Sequence, residues 1–276
     1  MLKKLLKYDM KNMYKFLSVF YILMIVFAIL TRVLFSMKQT VIISILSQIS
    51  VGAMFSMVAS SLINVLMRNW IRFKQTLYAD ESYLTHTLPV SKTVLYESKF
   101  ILSFINLLTT FIVILVSILI AYYTKERFDL LYNMISSFAG LYGMSCKTFI
   151  TFCIIILFLE ILSGLQSGFL GIILGHRKNT NKTALSVIYG LVIYFLSQVL
   201  VLLFLYIIGI FNKDIMLIFT DTLIKTSIIK SLMIICIFIY VFIVFLINIL
   251  CVNVFKKGVN VEKKNAKILV RIFLFI

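Results

Sequence analysis

Ten acidic side chains, two histidines and four cysteines are the groups here that could act as acids, bases, nucleophiles or metal ligands. Glu160 stands alone inside a long apolar run. An uncompensated charge there would cost ~3 kcal/mol on insertion scales, so the sequence predicts a carboxyl that is protonated or faces protein or water rather than lipid. Its candidate roles are proton coupling, contact with a substrate, or a neutral hydrogen bond across a helix seam. Asp80 and Glu81 form an acidic pair in a mixed polar and aromatic stretch. His86 and His176 have no ligand-like spacing to acids or cysteines, and Cys146, Cys153, Cys236 and Cys251 contain no CxxC pair. Neither a metal centre nor a disulfide framework is expected. No nucleophile and base pair stands out, so no catalytic residue is assigned.

These groups are carried by a chain of 276 residues that is 62% hydrophobic and 13% charged, with mean hydropathy +1.08. Soluble domains are about half apolar and about a quarter charged, so this composition excludes a water-soluble globular protein. Six apolar runs, at 16–35, 41–67, 100–123, 148–174, 184–211 and 231–254, are each long enough for a ~30 Å hydrocarbon core, which takes about 20 helical residues. The runs are continuous, without the alternation of barrel strands, so the expected fold is all-α and polytopic, with six transmembrane helices in one domain.

The net charge of +17 does not imply nucleic acid, because the cations lie in short clusters between apolar runs. An even number of spans puts both termini on one side. Clusters at Lys3, Lys4, Lys7, Lys11 and Lys15, at Arg68 to Lys99, at Arg177, Lys178 and Lys182, and in the tail from Lys256 onward give that side most of the Lys and Arg. It is therefore expected to be cytoplasmic. The lysines before the first run do not mark a cleaved leader, since that run outlasts a signal-peptide core; it is expected to be a retained span.

Four segments outside the spans are distinctive. In 1–15, Leu2, Leu5, Leu6 and Met13 share a face with Leu17 opposite the lysines, which predicts an amphipathic helix in the membrane interface. Phe128 to Met144 has the pattern of a second surface helix, and 212–230 that of a re-entrant or interfacial segment. The cytoplasmic tail, 255–276, includes an apolar stretch with no assigned role. The longest inside connector, 68–92, holds the only Trp and the only Pro. Trp70 and Arg72 suit the interface where the second span leaves the bilayer. Asp80 and Glu81 favour a helix start just after them, Pro89 ends it, and Ser91 is an N-cap for the third span, with Val90 packing on Leu95.

Inside the membrane, Ser44, Gln48, Gly52, Ser56, Ser60 and Asn64 recur at i+4 along the second span. Such a stripe is either a close-packing helix interface or a wetted translocation pathway. Ser186, Gly190, Tyr194, Ser197 and Gln198 are a weaker counterpart in the fifth span. In the fourth, Glu160, Gly164, Gly168, Gly171 and Gly175 share a face and predict a small-residue packing seam.

The strip Leu77-Tyr78-Ala79-Asp80-Glu81-Ser82-Tyr83-Leu84-Thr85-His86-Thr87-Leu88-Pro89-Val90-Ser91-Lys92, followed by Ser98-Lys99, resembles the permease subunits of ABC-2 type ABC transporters, particularly a group from low-GC Gram-positive bacteria. The six-span layout and basic N-terminus fit the same family. The resemblance implies an exporter transmembrane domain in the bacterial cell membrane. It also implies that Asp80, Glu81, Ser82, Tyr83, Leu84, Thr85, His86, Leu88, Pro89 and Ser91 couple to a separate ATPase subunit, which carries the ATP and Mg. Implied partners are an ATPase dimer, a second permease subunit, identical or homologous, and membrane lipid. Relatives often have Gly where this chain has Ala79 and Ser82.

Leu162-Ser163-Gly164-Leu165-Gln166 looks like the ABC ATPase signature, but it lies mid-span in a sequence with no phosphate loop, so no ATP hydrolysis by this chain is expected. The expected cargo is an amphipathic or hydrophobic peptide, lipid or drug. Two other readings compete: a non-transporting immunity or sensor protein that binds an antimicrobial peptide or lipid, and, third, a membrane enzyme using Glu160.

Overall fold

A computed structural model of the chain describes residues 2–38, 40–79, 81–87, 89–178, 180–212, 215, 216, 219 and 226–258. Among the described residues there are eight helices and no strands: α1 (Leu2–Ser36), α2 (Val41–Tyr78), α3 (Ser82–Thr87), α4 (Lys92–Ala121), α5 (Lys125–Leu141), α6 (Cys146–Gly175), α7 (Lys182–Phe211) and α8 (Thr226–Lys256). Six of them, all but α3 and α5, are long and apolar enough to cross a membrane. The expected all-α fold is thus present among the described residues, with six helices that could serve as the six expected spans. The segments 212–230 and 255–276 lie largely outside the described residues, as do Asp80 and Leu88.

Two helix boundaries differ from the sequence expectation. α1 runs unbroken from Leu2 to Ser36. The 1–15 segment is its first part rather than a separate interfacial helix, because no Pro or Gly interrupts the chain before the apolar run. Met13, Leu17, Tyr21, Met24 and Ala28, spaced at i+3 and i+4, are buried along one face. α2 does not stop near Met67 but continues to Tyr78, and its 38 residues make a rod of ~57 Å, well beyond a ~30 Å core. Most of the 68–92 connector is therefore helix, and the turn is confined to residues around α3.

The helices pack in two groups. α1, α2 and α4 bury Leu17, Tyr21, Met24, Val65 and Leu107 between them, with Leu162 of α6. α6, α7 and α8 form the other, around Leu165, Phe169, Ile173, Ile193, Ile243 and Cys251. Phe73, Leu77 and Tyr96, from the ends of α2 and α4 nearest α3, extend that second core and join the groups.

Within the first group the seam is hydrogen-bonded. The Tyr21 and Thr110 hydroxyls are 2.7 Å apart, those of Thr31 and Ser50 are 2.8 Å apart, and Tyr14 donates to Thr109 at 3.2 Å. Asn69 Oδ1 accepts from Ser103 Oγ at 2.9 Å and from Asn106 Nδ2 at 3.2 Å. Each such bond is worth about 0.6 kcal/mol in a membrane, but together they fix which helix faces meet.

α5 is the surface helix expected near 128–144, lying between the ends of α4 and α6 with Phe128, Met134, Phe138 and Leu141 exposed.

Candidate functional site

The site is built around α3. Glu81 immediately precedes this six-residue helix, whose Thr85 hydroxyl donates to the Glu81 carbonyl at 2.8 Å. The His86 ring, through Nε2, donates to the Leu77 carbonyl at 3.2 Å, folding α3 back on the end of α2. Pro89 follows in a bend, and the Ser91 hydroxyl accepts from the Val94 N–H at 3.4 Å, starting α4 as its sequence signal required. Ser82 is half-buried. Tyr83 and Leu84 point outward, 78% and 69% exposed, so α3 presents an aromatic and an aliphatic side chain that this chain does not cover.

Beneath α3 lies a group of charges of which sequence reasoning found only part. Asp9 of α1 is buried, and its Oδ1 accepts from Arg72 Nε at 3.1 Å and Arg72 Nη2 at 2.9 Å. Lys99 Nζ donates to Asp9 Oδ2. Arg72 Nη1 donates to Glu81 Oε1 at 2.6 Å. Arg72 and Lys99 are buried while the Glu81 side chain is 43% exposed, so Glu81 is the solvent-facing end of a neutral four-charge network. The network ties α1, α2, the start of α3 and α4 at one end of the bundle.

Arg72 is therefore a buried structural cation, not a headgroup-facing interface residue. Asp9 had a legible signal: with Met13 and Leu17 it forms an i+4 series, which puts a carboxylate on the apolar face of α1.

Trp70 also differs from its expected role. Its Nε1 donates to the Leu165 carbonyl at 2.9 Å, and its indole occupies the space a side chain on Gly168 would need. It docks α2 onto α6 rather than anchoring α2 at the membrane surface.

The i+4 stripe of α2 falls on the face turned away from the other helices. Gln48, Gly52 and Ser56 are exposed, Ser44, Ser60 and Asn64 are half-buried, and a Cβ on Gly52 would meet nothing within 4 Å. Asn64 Nδ2 donates within its own helix, to the Ser60 carbonyl at 2.8 Å. Packing within the chain uses another polar set, Ser47, Ser50, Ser61 and Asn69. A polar face left open on a membrane helix is costly against lipid and stable against water or another protein surface.

On the other group, Glu160, Tyr194 and Gln198 are neighbours. The Tyr194 hydroxyl donates to Glu160 Oε1 at 3.2 Å, and the Tyr240 hydroxyl, not anticipated from sequence, donates to Gln198 Oε1 at 3.2 Å. Glu160 thus makes a hydrogen bond across the α6–α7 seam. Gly164, Gly168, Gly171 and Gly175 line α6 as a close-packing face: a Cβ on Gly171 would come 2.5 Å from the Gly190 backbone nitrogen, and one on Gly175 2.6 Å from the Ser186 nitrogen. Since a glutamine oxygen can accept the same bond, Glu160→Gln is expected to keep the thermal unfolding midpoint of purified protein near that of the parent, whereas Glu160→Leu removes the acceptor of the half-buried Tyr194 hydroxyl and lowers the midpoint, a stability loss of about 0.5–1.5 kcal/mol.

Among the described residues no cluster of three or more His, Cys, Asp or Glu could hold a metal ion. No family model, curated protein or solved structure matches the chain.

Proposed function

We propose that the chain is the permease subunit of an ABC-2 type exporter in a bacterial cell membrane, moving an amphipathic or hydrophobic peptide, lipid or drug outward under the drive of a separate ATPase. In this reading both termini and α3 are cytoplasmic, and α3 is the coupling helix. The observation that carries it is the pair Tyr83 and Leu84, exposed on a short helix that His86 folds back on the end of α2. Apolar side chains held out at that level gain burial from a protein partner and nothing from water.

The mechanism follows from the anchoring. Closure of the ATPase dimer on ATP pushes α3. Glu81 and the short link to Ser91 pass that push to α2 and α4, and the buried charges make α1, α2 and α4 move as one body. The open polar face of α2, Ser44 to Asn64, then lines a cavity shared with the second permease subunit. Catalysis belongs to the ATPase, with its ATP and Mg, and no nucleic acid is involved.

Tyr83 and Leu84 are the residues to test, since Glu81 is committed to Arg72 and changing it disturbs the fold. Tyr83→Ser/Leu84→Ser should leave membrane insertion and thermal stability unchanged and weaken co-purification with the ATPase on the order of 10–100-fold, as for removal of two interface anchors. Undiminished association and export would remove α3 from the interface.

A further inference from the structure

At the end of the bundle that carries α3, the ends of α2, α3, α6 and α8 and the start of α4 enclose a cavity of about 130 Å³. Its walls include Tyr78, His86, Lys92, Arg177 and Phe255 and, among the described residues, no carboxylate. Tyr78 lies between the His176 ring, stacked at 4.5 Å, and the edge of Phe255 at 6.4 Å, so the aromatic wall is fixed.

The two cations are underused. Arg177 gives one N–H, from Nη2, to the Val254 carbonyl, and its Nε–H is buried with no partner. Lys92 reaches the Lys256 carbonyl at 3.4 Å, a long bond that leaves two ammonium donors over. Neither cation has a carboxylate within ion-pair distance among the described residues, unlike Arg72 and Lys99 close by. Burial holds the pKa of the Arg177 guanidinium below its ordinary value. A half-buried guanidinium with a spare donor, beside a lysine and an aromatic wall, has the chemistry of a phosphoryl receptor. Basic pockets between membrane helices at this level take lipid headgroups.

We propose that this cavity binds a phosphoryl anion through Arg177 and Lys92, supplied by the headgroup of an anionic phospholipid. The bound group would cross-link the ends of α4, α6 and α8. This inference does not depend on the motor partner, and its test uses the purified permease chain alone.

The test is the thermal unfolding midpoint of full-length protein in neutral detergent, titrated with phosphatidylglycerol, phosphatidylcholine or inorganic phosphate. Phosphatidylglycerol should raise the midpoint where phosphatidylcholine does not. Arg177→Gln and Lys92→Gln should each weaken that response at least fivefold, and Lys38→Gln, at the opposite end of the bundle, should leave it intact. Lys92 is exposed, so Lys92→Gln decides the matter if Arg177→Gln fails to fold. Stabilisation by inorganic phosphate with the same dependence on Arg177 and Lys92 would support the phosphoryl site while assigning its ligand to solution. Equal stabilisation by phosphatidylcholine, or variants that respond to phosphatidylglycerol as the parent does, would overturn the proposal.

Discussion

Asp9→Asn is expected to cost about 3–5 kcal/mol of stability, the range for removing one partner of a buried ion pair. Asp9 accepts hydrogen bonds from both Arg72 and Lys99 in a region where all three side chains are buried. With Asp9 neutral, Arg72 still has Glu81 at 2.6 Å, but Lys99 keeps a charge that nothing offsets and that water cannot reach. The loss therefore belongs mainly to Lys99, which gives a sharp check: Asp9→Asn/Lys99→Met leaves the Arg72–Glu81 pair balanced and should recover most of what Asp9→Asn loses. Thermal unfolding in mild detergent measures both. Equal damage from the single and double changes would mean that Asp9 acts through Arg72 instead.

Gly171→Val is the second large effect. The contact there is between main chains: a Cβ would stand 2.5 Å from Gly190 N, 2.6 Å from Gly190 Cα and 2.6 Å from the Ser186 carbonyl oxygen, none of which can rotate aside. α6 and α7, which pack more extensively than any other pair of described helices, must separate, with a loss of about 1–3 kcal/mol or more. Tyr194 and Glu160 lie on the same seam, so their 3.2 Å hydrogen bond should go with it. Gly52→Ala is the control. It is also a helical glycine, yet its Cβ would meet nothing within 4 Å, so the change should be neutral or add up to about 1 kcal/mol through helix propensity. The unfolding midpoint should fall for Gly171→Val and hold or rise for Gly52→Ala.

The spans, the α3 break at Pro89, the Ser91 cap and the glycine face of α6 were legible because each rests on local chemistry: apolar length, a missing N–H, a side-chain oxygen at the right offset, small residues one turn apart. The tertiary partners were not. Asp9 meets Arg72 and Lys99 across 63 and 90 residues of sequence, so its i+4 series with Met13 and Leu17 marks a core-facing acid but names neither partner. Periodicity found the α2 stripe but cannot say whether a polar face is the packed one. Ser47, Ser50, Ser61 and Asn69, less regularly spaced, are the residues that pack. Trp70 had two lawful sites, a headgroup region or a close-packed glycine, and only the position of Gly168 across the bundle decides between them.

Tyr83 offers the most direct measurement. A photo-crosslinking side chain placed there, in the native membrane with both subunits at natural levels, should attach to a protein that carries a phosphate-binding loop and hydrolyses ATP, and should be unreachable by polar reagents added outside intact cells. Capture of lipid alone, or labelling of position 83 from the cell exterior, would contradict the account.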